Sequence, residues 1–187
     1  MSVNPAEYHN LTVSEYERMG ETGVFAPDAR VELIEGEIIE MSPIGSPHAA
    51  CVDVAASLLH EKLQRTAIIR VQNPIVLDDF SEPQPDISVL KLQSGSYRGA
   101  HPRPQNVLLV IEVSDTTLRF DRQVKVPLYA RAGIPEVLII NLIDEQIEAH
   151  AQPVKGEYIV TQVFRRGEQF TSSVLPTVVL DVDEILG

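Results

Sequence analysis

Residues 106–142 read NVLLVIEVSDTTLRFDRQVKVPLYARAGIPEVLIINL, and their pattern decides the fold. Two apolar runs, NVLLVIEVS and PEVLIINL, flank a segment whose apolar residues recur at helical spacing up to Gly133. A helix between two strands permits a parallel crossover within one sheet. Pro127 falls inside that helix, so a kink or a downstream shift of its regular part is expected. Working outward, PDISVLK (85–91) reads as another strand, and AIIRVQNPIVLDD (67–79) as a strand interrupted or edged at Pro74. SPHAACVDVAASLLHEKLQR (46–65) has helical spacing with Pro47 at its start.

The order from residue 47 is helix, strand, strand, strand, helix, strand. This predicts an α/β (α+β) fold, a mixed sheet flanked by helices with an αβββαβ core over roughly residues 47–142. Nearer the N-terminus, TVSEYERMG predicts a short helix capped by Thr12 or Ser14. RVELIEGEIIEMSP predicts a hairpin turning at Glu35-Gly36, with Gly36 at a positive-φ position. The loop LQSGSYRGAHPRPQ (92–105) is rich in Gly, Pro, Ser and Arg, as exposed segments are. The tail predicts short antiparallel strands and a closing turn. No linker or repeat interrupts residues 1–187, which are expected to form a single domain.

Composition narrows the class. With 44% hydrophobic and 22% charged residues, the chain matches globular proteins and not disordered ones. No apolar stretch approaches the ~18 residues of a membrane span, and MSVNPAEYHN lacks the features of a signal peptide. Cys51 is the only cysteine, so no internal disulfide can form. A cytoplasmic location is expected. The net charge of −12 argues against a protein that simply coats nucleic acid. Residues 91–131 nevertheless carry seven Lys and Arg against three acids, a local excess that can receive a polyanion because distant charges are screened.

Each of two core strands carries an acid where periodicity calls for an apolar residue: Asp86 and Glu112. Alternation places Asp86 with Ser88 and Leu90, and Glu112 with Leu108, Val110 and Ser114. If the strands are antiparallel neighbours, the two carboxylates meet. Two such groups repel unless a cation intervenes or one is protonated. Mg²⁺ accepts one or two carboxylates and fills its remaining positions with water and phosphate, a set suited to phosphodiester hydrolysis. A cation two places after Glu112 would complete the site, but Ser114 stands there.

Pro85-Asp86 followed by Glu112 at the end of an apolar strand resembles the PD-(D/E)XK nuclease superfamily. More specifically, RVELIEGEIIEMSPIGSPH, VQNPIVL, QPDISVL, IEVSDTTLRFDRQVKVPLYARAGIPE and LPTVVLDVDEIL resemble the Uma-type restriction endonuclease family over nearly the whole chain. The resemblance implies a restriction endonuclease-like fold and a Mg²⁺-dependent (or Mn²⁺-dependent) endonuclease acting on DNA. Asp86 and Glu112 would be its metal ligands. It also implies that the missing strand lysine is replaced by one from the following helix, here Lys125, which Asp121 four residues earlier could hold. Glu32 and His48 match family positions that would assist, Gln72 could face the cleft, and a homodimer is expected.

Arg98, Arg103, Arg119 and Arg122 are candidate phosphate contacts. Taken singly, these residues have plainer readings: Asp86 as a turn residue, Glu112 at a solvent boundary, Lys125 on a solvated helix face, His48 as a surface residue. His60, His101 and His150 show no metal-ligand spacing. Two other functions fit the same residues, an inactive binding or regulatory module and a phosphohydrolase of small molecules.

Overall fold

The computed structural model describes residues 9–26 and 28–187. Helix α1 (Val13–Glu21) opens on a capping box, in which Thr12 and Glu15 satisfy each other's backbone N–H groups. Strands β1 (Val31–Ile34) and β2 (Glu37–Glu40) form the hairpin, and both turn residues, Glu35 and Gly36, have positive φ. That geometry matches the right-handed twist of paired strands. Helix α2 (Ser46–Leu63) follows, with Pro47 in its first turn.

The central sheet has six strands in the order β3 (Ile68–Val71), β4 (Ile87–Leu90), β5 (Val107–Ser114), β6 (Glu136–Asn141), β7 (Gln146–Val154) and β8 (Glu157–Arg165). Only β5 and β6 run parallel. The crossover between them turns as α3 (Leu118–Phe120), a π-helix (Asp121–Lys125) and α4 (Val126–Arg131). Both faces of the sheet are covered, which explains why β5 and β6 read as near-continuous apolar runs. One face packs Ile87, Val89, Leu109, Ile111 and Leu138 against α2. The opposite face packs Val110, Val137 and Ile139 against Val126, Leu128 and Tyr129 of the crossover. The tail closes with β9 (Gln169–Thr171), β10 (Val179–Asp181) and α5 (Val182–Leu186).

Two expectations are adjusted. The strand expected across residues 67–79 stops at Val71, because Gln72 takes φ 51° and leaves the ladder. Ile75, Val76 and Leu77 stay buried, hydrogen-bonded to Pro83, Pro102 and Ser81. The tail strands are not all short: β7 and β8 have nine residues each and extend the central sheet. As expected, the longest regular part of the crossover helix lies downstream, starting at Val126 with Pro127 in its first turn. Pro127 has no N–H to offer Gln123, and the chain widens instead, with Val126 N–H reaching five residues back to Asp121. No helix among the described residues is long and apolar enough to cross a membrane.

Candidate active site

The antiparallel register of β4 and β5 pairs Ile87 with Ile111, so the next positions along it are Asp86 and Glu112. Their backbones and carboxylates interlock. Val113 N–H donates to Asp86 Oδ2 at 2.9 Å, and Asp86 N–H donates to Glu112 Oε2 at 3.3 Å. Both side chains turn to the face that carries the crossover helix. Lys125 Nζ comes from that helix to 3.3 Å from Glu112 Oε1 and 3.0 Å from Glu32 Oε2.

Glu32 arrives on the hairpin, which is pinned beside the strands by the Leu33–Glu82 bridge. Gln84 N–H donates to the same Glu32 oxygen at 3.0 Å. His48, in the first turn of α2, brings Nε2 to 3.1 Å from Asp86 Oδ2. Gln72, swung inward by its left-handed backbone, donates from its amide to Asp86 Oδ1 at 3.3 Å. Five residues expected from the sequence (Glu32, His48, Asp86, Glu112 and Lys125) therefore line one cleft of about 310 Å³.

Electrostatics set apart the two central acids. Burial pushes the Glu112 carboxyl up to about 8, although Lys125 opposes it. For Asp86 burial acts upward as well, but the hydrogen bond from His48, that imidazole's charge and the bonds from Val113 and Gln72 carry the net shift downward. His48 is raised by its bond to Asp86. Burial alone would lower Lys125, yet Glu112, Glu32 and Asp121 hold its pKa above the ordinary lysine value. One carboxyl of unusually high pKa beside one held ionised is a pattern typical of working sites. His48 Nδ1 is buried with no hydrogen-bond partner, so it is Nε2, bonded to Asp86, that engages the site.

Tyr129 was not foreseen in the sequence. Its hydroxyl donates to Glu112 Oε1 at 2.6 Å from a fully buried position. The available signal was its place four residues after Lys125, which puts both on one helix face. Asp121 does not pair with Lys125. Its carboxylate accepts from Ser114 and Thr117, both at 2.7 Å, because a turn closed at the fifth residue brings Val126 over Asp121 in place of Lys125. Ser114 thus anchors the helix that carries Lys125.

The arginines are dispersed. Arg122 is engaged by Glu148 and Asp144, and Arg119 is exposed and bonded to Gln123. Arg98 and Arg103 line a separate groove beside α1. The cleft itself contains Arg30, which donates to the Ser42 carbonyl at 2.9 Å. Cys51 is buried on the α2 face, with burial holding its thiol at about 12, so it supplies no nucleophile.

A mixed sheet with a single parallel crossover, acids on two adjacent antiparallel strands and a covering helix define the restriction endonuclease-like class. The same fold occurs in the crystal structure of a "putative nuclease belonging to DUF820" from Anabaena variabilis ATCC 29413. That structure superposes with a TM-score of 0.72 at 16% identity, covering 94% of this chain and 97% of the other. Residues 13–183 match the Uma2 family, described as "Putative restriction endonuclease", and the chain belongs to that family. No curated protein sequence matches it significantly.

Proposed function

We propose that the protein is a Mg²⁺- or Mn²⁺-dependent endonuclease that hydrolyses DNA phosphodiester bonds. The observation that carries this reading is the convergence of Asp86, Glu112 and Lys125, from two strands and a crossover helix, on one cleft. The donor set fits a hard divalent ion. Two carboxylates face the cleft, each with lone pairs beyond those its hydrogen bonds use, and Mg²⁺ needs no more from a protein. Asp86 and Glu112 would hold the ion, which supplies an activated water and neutralises phosphoryl charge.

The remaining roles belong to the chain. Lys125, held by Glu32 and Glu112, presents N–H groups toward the scissile phosphate and stabilises charge that develops there. Tyr129 fixes the Glu112 carboxylate, while Gln72 and His48 fix that of Asp86.

Nicking of supercoiled plasmid with and without Mg²⁺ tests the assignment. Asp86→Ala and Glu112→Ala should abolish metal-dependent nicking with folding intact. Lys125→Met should reduce the rate by about 10²–10³-fold, the usual loss when a transition-state donor is removed. Nicking that persists undiminished in both acid variants would defeat the proposal.

A further inference from the structure

Among the buried carboxylates of the described residues, Glu82 alone has a fully buried oxygen, Oε2, with no hydrogen-bond partner. The residue is only 4% exposed. Leaving a carboxylate oxygen unsatisfied in the interior is costly unless a cation or a proton compensates. Glu82 does not belong to the cleft. It lies directly opposite Leu33 in an antiparallel bridge, so the two side chains share a face. Leu33 packs there with Val13 and Val76 under α1. Glu32, the adjacent residue, faces the other way, toward Lys125.

Two more ligand-type side chains converge on Glu82. Glu17 sits one helical turn after Val13 on α1, and His101 lies in the loop before β5. One ligand atom from each of the three lies within 4.8 Å of the others, and His101 Nε2 is 4.0 Å from the nearer Glu82 oxygen, Oε1. That distance is too long for a hydrogen bond but close to what an ion between two ligands requires, since Zn²⁺ binds such donors at ~2.0–2.2 Å. Glu17 and His101 are both exposed, so small rotations of either can close the set around the fixed Glu82.

An open groove of about 830 Å³ reaches Glu17 and His101, providing an entry path and room for water. Burial and the nearby Arg70 hold His101 below the usual histidine range, in the neutral form that binds metal. Burial and the charge of Glu17 raise Glu82 to about 7, a proton that a bound cation would displace.

We propose that Glu17, Glu82 and His101 form a second metal site, separate from the cleft, that takes Zn²⁺ and clamps α1 and the loop before β5 to the back of the hairpin. The imidazole selects a first-row transition ion over Mg²⁺ or Ca²⁺, which favour oxygen-only ligand sets.

The test uses the full chain carrying Asp86→Ala and Glu112→Ala, so that the cleft acids cannot contribute, and reads metal binding directly. Calorimetric titration with Zn²⁺ should show one equivalent bound per chain. At a hundredfold excess over Kd the melting temperature should rise by roughly 5–10 °C, given the mass-action stabilisation and the size of the chain. His101→Ala, at an exposed position, and Glu82→Gln, a neutral isostere, should each weaken binding by at least about tenfold. Absence of stoichiometric binding in the doubly substituted chain, or binding that His101→Ala leaves unchanged, would overturn the proposal.

Discussion

Glu112 is the residue at which the competing forces are largest. Its carboxyl is enclosed by the sheet, the crossover helix and Asp86, and burial raises its pKa from an ordinary 4.5 to about 8. In the unfolded chain it loses its proton near 4.5. Between those values the folded state binds more protons than the unfolded one, so stability must fall as pH rises. Relative to Glu112→Gln, which cannot titrate, the metal-free protein should lose up to about 1.4 kcal/mol per pH unit across pH 4.5–8. Urea unfolding of both proteins at several pH values measures this as a difference curve. The subtraction matters because His48 and Glu82 also have raised pKa values and contribute with the same sign. A flat difference curve would show that folding does not raise the Glu112 pKa.

At the level of elements, the site depends on the contact between β5 and the crossover helix, and Tyr129 tests that contact. Phe substituted there keeps the ring in its buried place and deletes only the hydroxyl that bonds to Glu112. Tyr129→Phe should lower stability by about 1–3 kcal/mol, the range for losing a hydrogen bond to a charged or buried partner, read from the urea midpoint at unchanged m-value. An unaltered midpoint would remove Tyr129 from the network. Much of the surrounding architecture was legible in the sequence: the hairpin from Glu35-Gly36, the strand–helix–strand crossover from its change of period, and the two acids from their interruption of that period.

What escaped has physical causes. A π-turn at Asp121–Lys125 leaves no mark on apolar spacing, so the expected Asp121–Lys125 pair gave way to bonds from Ser114 and Thr117. The early exit of β3 at Gln72 depends on one backbone angle. The clustering of Glu17, Glu82 and His101 joins three distant segments, which no ligand-spacing rule can detect.

For the whole molecule, the question is how a chain of net charge −12 would meet the polyanion proposed as its substrate. The excess of cations along residues 91–131 does not become one basic face. Arg122 is neutralised by Glu148 and Asp144, and Arg98 and Arg103 open onto the α1 groove. The cleft offers Arg30 and Lys125, with Arg119 in a groove that shares Asp115 and Thr116 with it. About three phosphate contacts are therefore available, and counterion release scales with their number at about −0.9 per contact in log K against log salt.

Binding of a short duplex by the Lys125→Met protein in Mg²⁺, followed by fluorescence anisotropy over a series of roughly 50 to 300 mM KCl, should give a slope no steeper than about −2, because Arg30 and Arg119 are the contacts that remain. Recognition would then rest on the metal and on fit to the cleft more than on general attraction to the backbone. A slope beyond about −6 would mean that DNA lies across a broader surface, with Arg98 and Arg103 as its first candidates. Substituting those two arginines would then flatten the slope, whereas in a cleft-bound complex it should stay unchanged.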